Sequence, residues 1–142
     1  MYKKICILPL VFVLSSCLSG TKHYQLYPGA AKPAAKLAKL TVDPEILVLK
    51  ISKYYDKTPI LSFDMRVKQY DILPGTYTIK MKYHAIIELK GDDLVKISSQ
   101  PFDVEFKAKK GKRYKLNFKN PTNFKDAKKF AAAPNVTIEE IN

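Results

Sequence analysis

Apolar and polar residues alternate strictly in the middle of the chain. Between residues 76 and 83 every second position is apolar (Tyr77, Ile79, Met81 and Tyr83), and the positions between them are threonine or lysine. A period of two places the two classes on opposite faces of a strand, whereas a helix would mix them around its circumference. This pattern predicts a strand with one buried face. Shorter apolar or alternating runs at residues 37–42, 45–51, 66–73 and 85–89 predict further strands, with residues 52–63 as a loop.

Two more alternating runs flank a lysine-rich turn. Residues 102–107 and 113–119 each place apolar side chains at every second position, and Lys109-Lys110-Gly111-Lys112 lies between them. Two alternating runs joined by a short glycine-containing turn are typical of a β-hairpin. Because a two-stranded hairpin is only marginally stable alone, we expect it to pack on another sheet.

The last part of the chain changes to a helical period. Phe124, Ala127 and Phe130 recur at helical spacing, Asn123 is a suitable first cap, and Pro134 ends the pattern. Residues 136–138 then predict a final short strand. Strands throughout with one late helix predict an all-β fold, an antiparallel β-sandwich of about seven to eight strands with one short C-terminal helix.

The first 16 residues have the parts of an export signal. Lys3 and Lys4 precede an apolar stretch, Ile5 to Leu14, that is too short to span a bilayer as a helix. The stretch ends at Leu14-Ser15-Ser16-Cys17, which resembles the bacterial lipobox. The resemblance implies a signal peptide at residues 1–16, cleavage before Cys17 and lipidation of the Cys17 sulfur.

The lipobox resemblance also implies a compartment and a domain plan. Leu18 follows the cysteine where aspartate would retain the protein at the inner membrane, so we expect an outer-membrane lipoprotein that faces the periplasm. Residues 17–36 contain prolines, glycines and alanines and are predicted to be a lipidated tether, with the β-sandwich domain at 37–142. Tyr24 and Tyr27 would either rest at the lipid headgroups or dock on the domain. Since Cys6 lies in the signal, no disulfide is expected.

Two family resemblances cover most of the remaining chain. Tyr27-Pro28-Gly29, the Leu73-Pro74-Gly75-Thr76-Tyr77 turn and Gly111-Lys112-Arg113-Tyr114 resemble motifs of a group of small bacterial lipoproteins. Ala30 stands where the opening motif of that group has proline. The part from Lys119 to Ile138 is similar to a domain-of-unknown-function family of exported proteins, one member of which is associated with inhibition of curli fibre assembly. These resemblances imply the fold and the compartment, and they carry no catalytic residue to this chain.

The chain is strongly basic. It has 25 Lys+Arg against 13 Asp+Glu and a net charge of +12, and all its basic residues except Arg66 and Arg113 are lysine. A basic surface favours anionic partners, but the scarcity of arginine argues against sequence-specific nucleic-acid binding. Six lysines on predicted polar faces form a candidate anion-binding surface: Lys80, Lys82, Lys107, Lys109, Lys115 and Lys119. If they are neighbours they could bind phosphates of lipopolysaccharide or an acidic glycan; otherwise they are an ordinary solvated surface.

Little in the sequence points to catalysis. His23 lies in the predicted tether and His84 on the polar side of a strand, and neither belongs to a cluster with the spacing of metal ligands or a catalytic site. We therefore expect no enzyme, no metal and no cofactor, and a hydrolase-like enzyme remains as an alternative without a motif. The expected function is binding or scaffolding at the cell envelope. The partner would be an envelope protein that adds a strand to a free sheet edge, or an anion held by the lysines.

Overall fold

The computed structural model describes residues 20–52, 54–55, 66–91 and 93–142. Within these ranges the strands are β1 (Lys22–Gln25), β2 (Ala38–Val42), β3 (Ile46–Ile51), β4 (Tyr54–Tyr55), β5 (Lys68–Ile72), β6 (Gly75–Glu88), β7 (Leu94–Ser98), β8 (Phe102–Ala108), β9 (Arg113–Asn117) and β10 (Thr137–Ile141). A short 3-10 helix spans Ala34–Lys36 and the one α-helix, α1, spans Phe124–Ala132. The all-β class with one short C-terminal helix is confirmed. The predicted signal peptide, Cys17 and most of the predicted loop lie outside the described residues.

The strands form two five-stranded sheets. Sheet A has the order β1-β5-β2-β9-β10, and sheet B has the order β4-β3-β6, with β7 and β8 both paired to the other side of β6. The pairings of β1 with β5 and of β2 with β9 are parallel, and the other pairings in the described ranges are antiparallel. The described ranges hold ten strands rather than the predicted seven or eight. β1 forms in the predicted tether, β4 in the predicted loop and β7 where no strand was predicted, whereas the runs predicted as two strands at 76–83 and 85–89 are the single strand β6.

The core lies between the inner faces of the two sheets. Leu40 and Ile72 from sheet A and Ile79 and Met81 from sheet B are fully buried there. The strand predicted from strict alternation presents its two faces as expected, since Ile79, Met81 and Tyr83 are buried and the threonines and Lys80 between them are exposed. Burial of these apolar side chains is the main favourable term in joining the sheets.

The predicted hairpin at residues 102–119 is wrong in its pairing. β8 pairs with β6 in sheet B, whereas β9 pairs with β2 and β10 in sheet A. The turn at 109–112 therefore crosses from one sheet to the other, and the rings of Phe106 and Tyr114 meet edge to face between the sheets at 4.7 Å. Gly111 adopts a φ of 72° in this crossing and donates its N–H to the carbonyl of Leu37 at 2.8 Å. Alternation along each strand is the same in either arrangement, so it could not identify the partner.

The predicted tether is largely part of the folded body. β1 pairs with β5 at the edge of sheet A, and the ring of Tyr24 stacks on that of Tyr70 at 5.0 Å. Tyr27 is only 7 % exposed, and its hydroxyl accepts the N–H of Lys32 at 3.0 Å. Both tyrosines thus dock on the domain. The folded body therefore includes described residues before residue 37, from Lys22 onward, because backbone pairing with β5 and ring burial hold this segment in place.

Helix α1 covers the end of sheet B, close to where it was predicted. The Asn123 side chain caps it by accepting the N–H of Asp126 through Oδ1 at 2.9 Å. Ala127 is fully buried, and the ring of Phe130 meets that of Tyr83 edge to face at 4.9 Å. The helix is therefore held by its apolar face and by its N-cap.

β7 and β8 follow the same side of β6, with a β-bulge between them. His84 is opposite Ser98 and Met81 is opposite Phe102, so three residues on one strand face two on β6. Ser99, which is 3 % exposed, accepts the N–H of Tyr83 through its Oγ at 2.9 Å and donates its own N–H to the Tyr83 carbonyl at 3.0 Å. The bulge thus keeps the backbone groups of Tyr83 bonded while it redirects the edge of sheet B.

Candidate functional site

The structure does not bring the six predicted lysines together. Lys80 and Lys82 lie on the outer face of sheet B, and Lys107 lies on the same face at the far end of β8. Lys115 lies on the outer face of sheet A, Lys109 lies in the crossing turn, and Lys119 follows β9. Because β8 and β9 belong to different sheets, no single cationic stripe forms from this set.

Half of the set has acidic neighbours. The Nζ of Lys80 lies 3.2 Å from Asp103, that of Lys115 lies 3.7 Å from Asp43, and that of Lys109 lies 3.9 Å from Glu140. Such exposed pairs contribute little to stability, but they reduce the net positive charge that an incoming anion meets. Among the described residues no carboxylate lies within ion-pair distance of the other three lysines: Lys82, Lys107 and Lys119.

His84 lies on the outer face of sheet B near two lysines, Lys82 and Lys96. The Nδ1 of His84 lies 2.6 Å from the Oγ of Ser98 on the neighbouring strand. Burial lowers the pKa of His84, and the positive charges of Lys82 and Lys96 lower it further. These effects favour the neutral form of the imidazole, and Lys82 and Lys96 are the positive charges near it. His23, the other histidine, lies exposed on β1.

A groove that the sequence did not predict lies between β7, the bulge and α1. Its volume is about 580 Å³, within the range of roughly 300–1,000 Å³ that is common for binding pockets. The lining is largely apolar and includes Ile97, Phe102, Phe124 and Ala131. Lys96 and Lys128 are its charged residues, and in the described part of the chain no acidic residue lines it.

The strand edge at this groove presents backbone hydrogen-bonding groups. In an antiparallel pair successive residues point their N–H and C=O groups alternately toward and away from the partner strand. Ser99 donates to Tyr83, and Leu89 donates to Asp93 at 2.8 Å, so the odd-numbered residues of this pair bond across it. It follows that the backbone groups of Lys96 and Ser98 point away from β6. In the ranges that the structure describes, β7 pairs with no strand except β6.

A smaller cavity of about 330 Å³ lies against another face of α1. Its lining includes Lys119, Asn120, Asp126 and Lys129. Asn120 Nδ2 also donates to Glu45 Oε1 at 3.3 Å. The lining of this cavity carries both charge signs, so it has less electrostatic preference than the groove beside β7.

Two further properties concern metals and membranes. In residues 20–52, 54–55, 66–91 and 93–142 no group of three or more histidines, cysteines, aspartates or glutamates could hold a metal ion. None of the helices within those ranges has the length and hydrophobicity needed to cross a bilayer.

One family model matches most of the chain. Residues 39–142 match the model of DUF2057, described as uncharacterized proteins conserved in bacteria. The chain belongs to this family. The DUF2057 match includes β3 to β10, α1, both walls of the groove and all six lysines. No curated protein and no solved structure matches the chain.

Proposed function

We propose that this protein is a non-catalytic bacterial lipoprotein that binds or scaffolds another protein of the cell envelope. In this proposal Cys17 carries the lipid and the folded body faces the periplasm from the outer membrane. The lipobox-like pattern before Cys17 and membership of a bacterial family support the location. A role in modulating assembly follows from the resemblance to exported proteins that include a curli inhibitor.

The open edge of β7 is the observation that carries the binding role. The outward N–H and C=O groups of Lys96 and Ser98 border an apolar groove. A partner in extended conformation can pair with such an edge through its backbone and place alternate side chains in the adjoining groove. The edge supplies affinity, and the groove supplies selectivity.

The lipid anchor is tested by metabolic labelling with a radioactive fatty acid. Wild-type protein should be labelled, and Cys17→Ala protein should not be. Mass spectrometry of the labelled material should show a chain that begins at Cys17 and carries added acyl mass. Label in both proteins, or a mature chain that begins at Met1, contradicts the anchor.

Protein binding is tested by photo-crosslinking in intact cells. A crosslinking amino acid replaces Gln100, which is exposed and lines the groove, and in a matched control it replaces Glu105, which is exposed on β8 outside the groove. The proposal expects a stoichiometric protein adduct from position 100 that persists after a high-salt wash and is absent from position 105. No adduct from either position, or equal adducts from both, counts against it.

The two lysines near His84 favour a second candidate function, binding of lipopolysaccharide or an acidic glycan. Lys82 and Lys96 both lower the pKa of His84, so an anion at this place would meet two positive charges. Retention on immobilised lipopolysaccharide should fall steeply between low and physiological salt. Lys82→Gln should weaken retention, and Lys115→Gln on the other sheet should not. No retention, or retention that is independent of salt, removes this candidate.

A further inference from the structure

We propose that the groove between β7 and α1 binds an extended acidic peptide segment of a partner protein, which adds to β7 as a new strand of sheet B. This inference rests on the proposed protein-binding function and specifies the site, the binding mode and the chemistry of the ligand. Three features of the groove carry it: the edge backbone of β7, the apolar wall of α1, and the charge of the lining.

The edge of β7 defines where a strand can pair and where pairing must stop. The N–H and C=O groups of Lys96 and of Ser98 point away from β6. Their spacing of two residues is the spacing at which a further antiparallel strand forms its hydrogen bonds. The bulge at Ser99 then interrupts the ladder, and Pro101 has no N–H to donate. Strand addition is thus confined to the length of β7, next to the groove.

Helix α1 forms the second wall of the groove. Phe124, Lys128 and Ala131 recur at helical spacing and all line the groove, together with Ala132. The small alanines leave volume in front of Ile97 and Phe102. An added strand points every second side chain to the same face, so one set of peptide side chains would enter the space between β7 and α1.

The charge of the groove selects the sign of the peptide. Lys96 and Lys128 are its charged lining residues, and the Nζ of Lys128 lies 5.5 Å from the ring centroid of Phe124 at the groove wall. Carboxylates on the peptide would meet both ammonium groups, whereas a basic peptide would be repelled. A second copy of this chain is a poor occupant for the same reason, because it would bring its own Lys96 and Lys128 to the same place on a chain of net charge +12.

The probe is an eight-residue peptide of repeated Val-Val-Glu-Glu with blocked ends, which places carboxylates on both faces of an added strand, and its control has lysine in place of glutamate. Both are titrated into purified full-length protein by fluorescence anisotropy at physiological salt. We expect the glutamate peptide to bind and the lysine peptide not to bind. Hydrogen exchange of the Lys96 and Ser98 amides should slow when the glutamate peptide is present, because these N–H groups would then be hydrogen bonded.

Two variants with matched controls test the geometry. Lys128→Glu should weaken binding by about tenfold or more, whereas Lys125→Glu, on the same helix but outside the groove lining, should change it by less than about twofold. Lys96→Pro removes an N–H that points away from β6, so it should abolish binding with little change in melting temperature. If Lys96→Pro protein does not fold, the two helix variants still decide the question.

Several outcomes would overturn the proposal. Equal binding of the two peptides, or equal effects of the two helix variants, would show that the groove does not select acidic residues. Concentration-dependent dimerisation that slows exchange at the same two amides would assign the edge to a second copy. Binding of an anionic detergent that is equally strong in wild-type and Lys96→Pro protein, and that displaces the peptide from the wild type, would assign the groove to lipid. A crosslinked partner at position 100 with failure of both peptides refutes only this inference, whereas loss of the crosslink refutes the proposed function itself.

Discussion

The buried hydroxyl of Tyr83 leads to an unusual stability prediction. Tyr83 is fully buried, and its Oη has no hydrogen-bond partner in the part of the chain that the structure describes. A buried polar group without a partner costs about 1–3 kcal/mol. Tyr83→Phe removes this group and keeps the ring, including its edge-to-face contact with Phe130 at 4.9 Å. The space left behind is that of one oxygen atom, which at ~24 cal/mol per Å³ costs only a few tenths of a kcal/mol.

We therefore expect Tyr83→Phe to raise the free energy of unfolding by about 1–2 kcal/mol, or the melting temperature by roughly 4 °C per kcal/mol. Urea and thermal unfolding measure this change. Tyr77→Phe is the matched control, because the Tyr77 hydroxyl donates to the carbonyl of Leu73 at 2.6 Å. Its loss should lower the free energy of unfolding by about 0.5–1.5 kcal/mol.

The same hydroxyl predicts a change at alkaline pH. Burial raises the pKa of Tyr83, and the negative charge of Glu45 raises it further. In the unfolded chain the group loses its proton near pH 10. As pH rises from there through the higher folded pKa, the unfolded state holds fewer protons and stability falls, whereas below pH 10 the group has no effect. Tyr83→Phe protein should lose less stability in this range. A destabilised Tyr83→Phe variant would mean that the hydroxyl is hydrogen bonded in the folded protein. An alkaline slope that is the same in both proteins would contradict the raised pKa of Tyr83.

Three further predictions concern the helix cap, the histidine and the crossing turn. Asn123→Ala should lower the free energy of unfolding by about 1 kcal/mol because it removes the N-cap bond, whereas Asn135→Ala, outside the helix, should have no such effect in urea unfolding. The folded pKa of His84 lies below its unfolded value, so the free energy of unfolding should fall as pH drops through the unfolded pKa toward the lower folded one. His84→Gln should reduce this pH dependence. The same change in the free energy of unfolding between pH 5 and 7.5 in both proteins would contradict the prediction. Gly111→Ala should lower the free energy of unfolding by about 1 kcal/mol because φ is positive at Gly111. Equal melting temperatures for Gly111→Ala and the control Gly20→Ala would refute that reason.

Alternation predicted the faces of the strands but not their partners. The inward positions of β6, β8 and β9 follow from local geometry, because successive side chains on any strand point to opposite sides. The partner depends on how the whole chain packs. A four-residue link such as 109–112 can join neighbours in one sheet or strands in facing sheets, and the pattern of Phe106 and Tyr114 is the same in both. The same ambiguity explains why the predicted lysine cluster does not form: Lys115 lies on sheet A, whereas Lys80 and Lys82 lie on sheet B.

The sequence does indicate the β-bulge that borders the groove, through the spacing of its apolar residues. Apolar positions are odd-numbered at Val95 and Ile97 but even-numbered from Phe102 onward. A change of parity within an alternating run requires one extra residue, which is what a β-bulge inserts. The docking of Tyr24 and Tyr27 had no comparable signal. The position of these rings depends on the free side of β5, which only the assembled sheet provides.

The order of strands in sheet A determines when this protein can complete its fold. β1 and β10 lie at opposite edges of the same sheet, and β9 joins β2 to β10. A chain shortened before Arg113 would leave β2 paired on one side only, with β5. Closure must therefore wait for the carboxyl-terminal strands, which makes folding a single late event dominated by distant contacts.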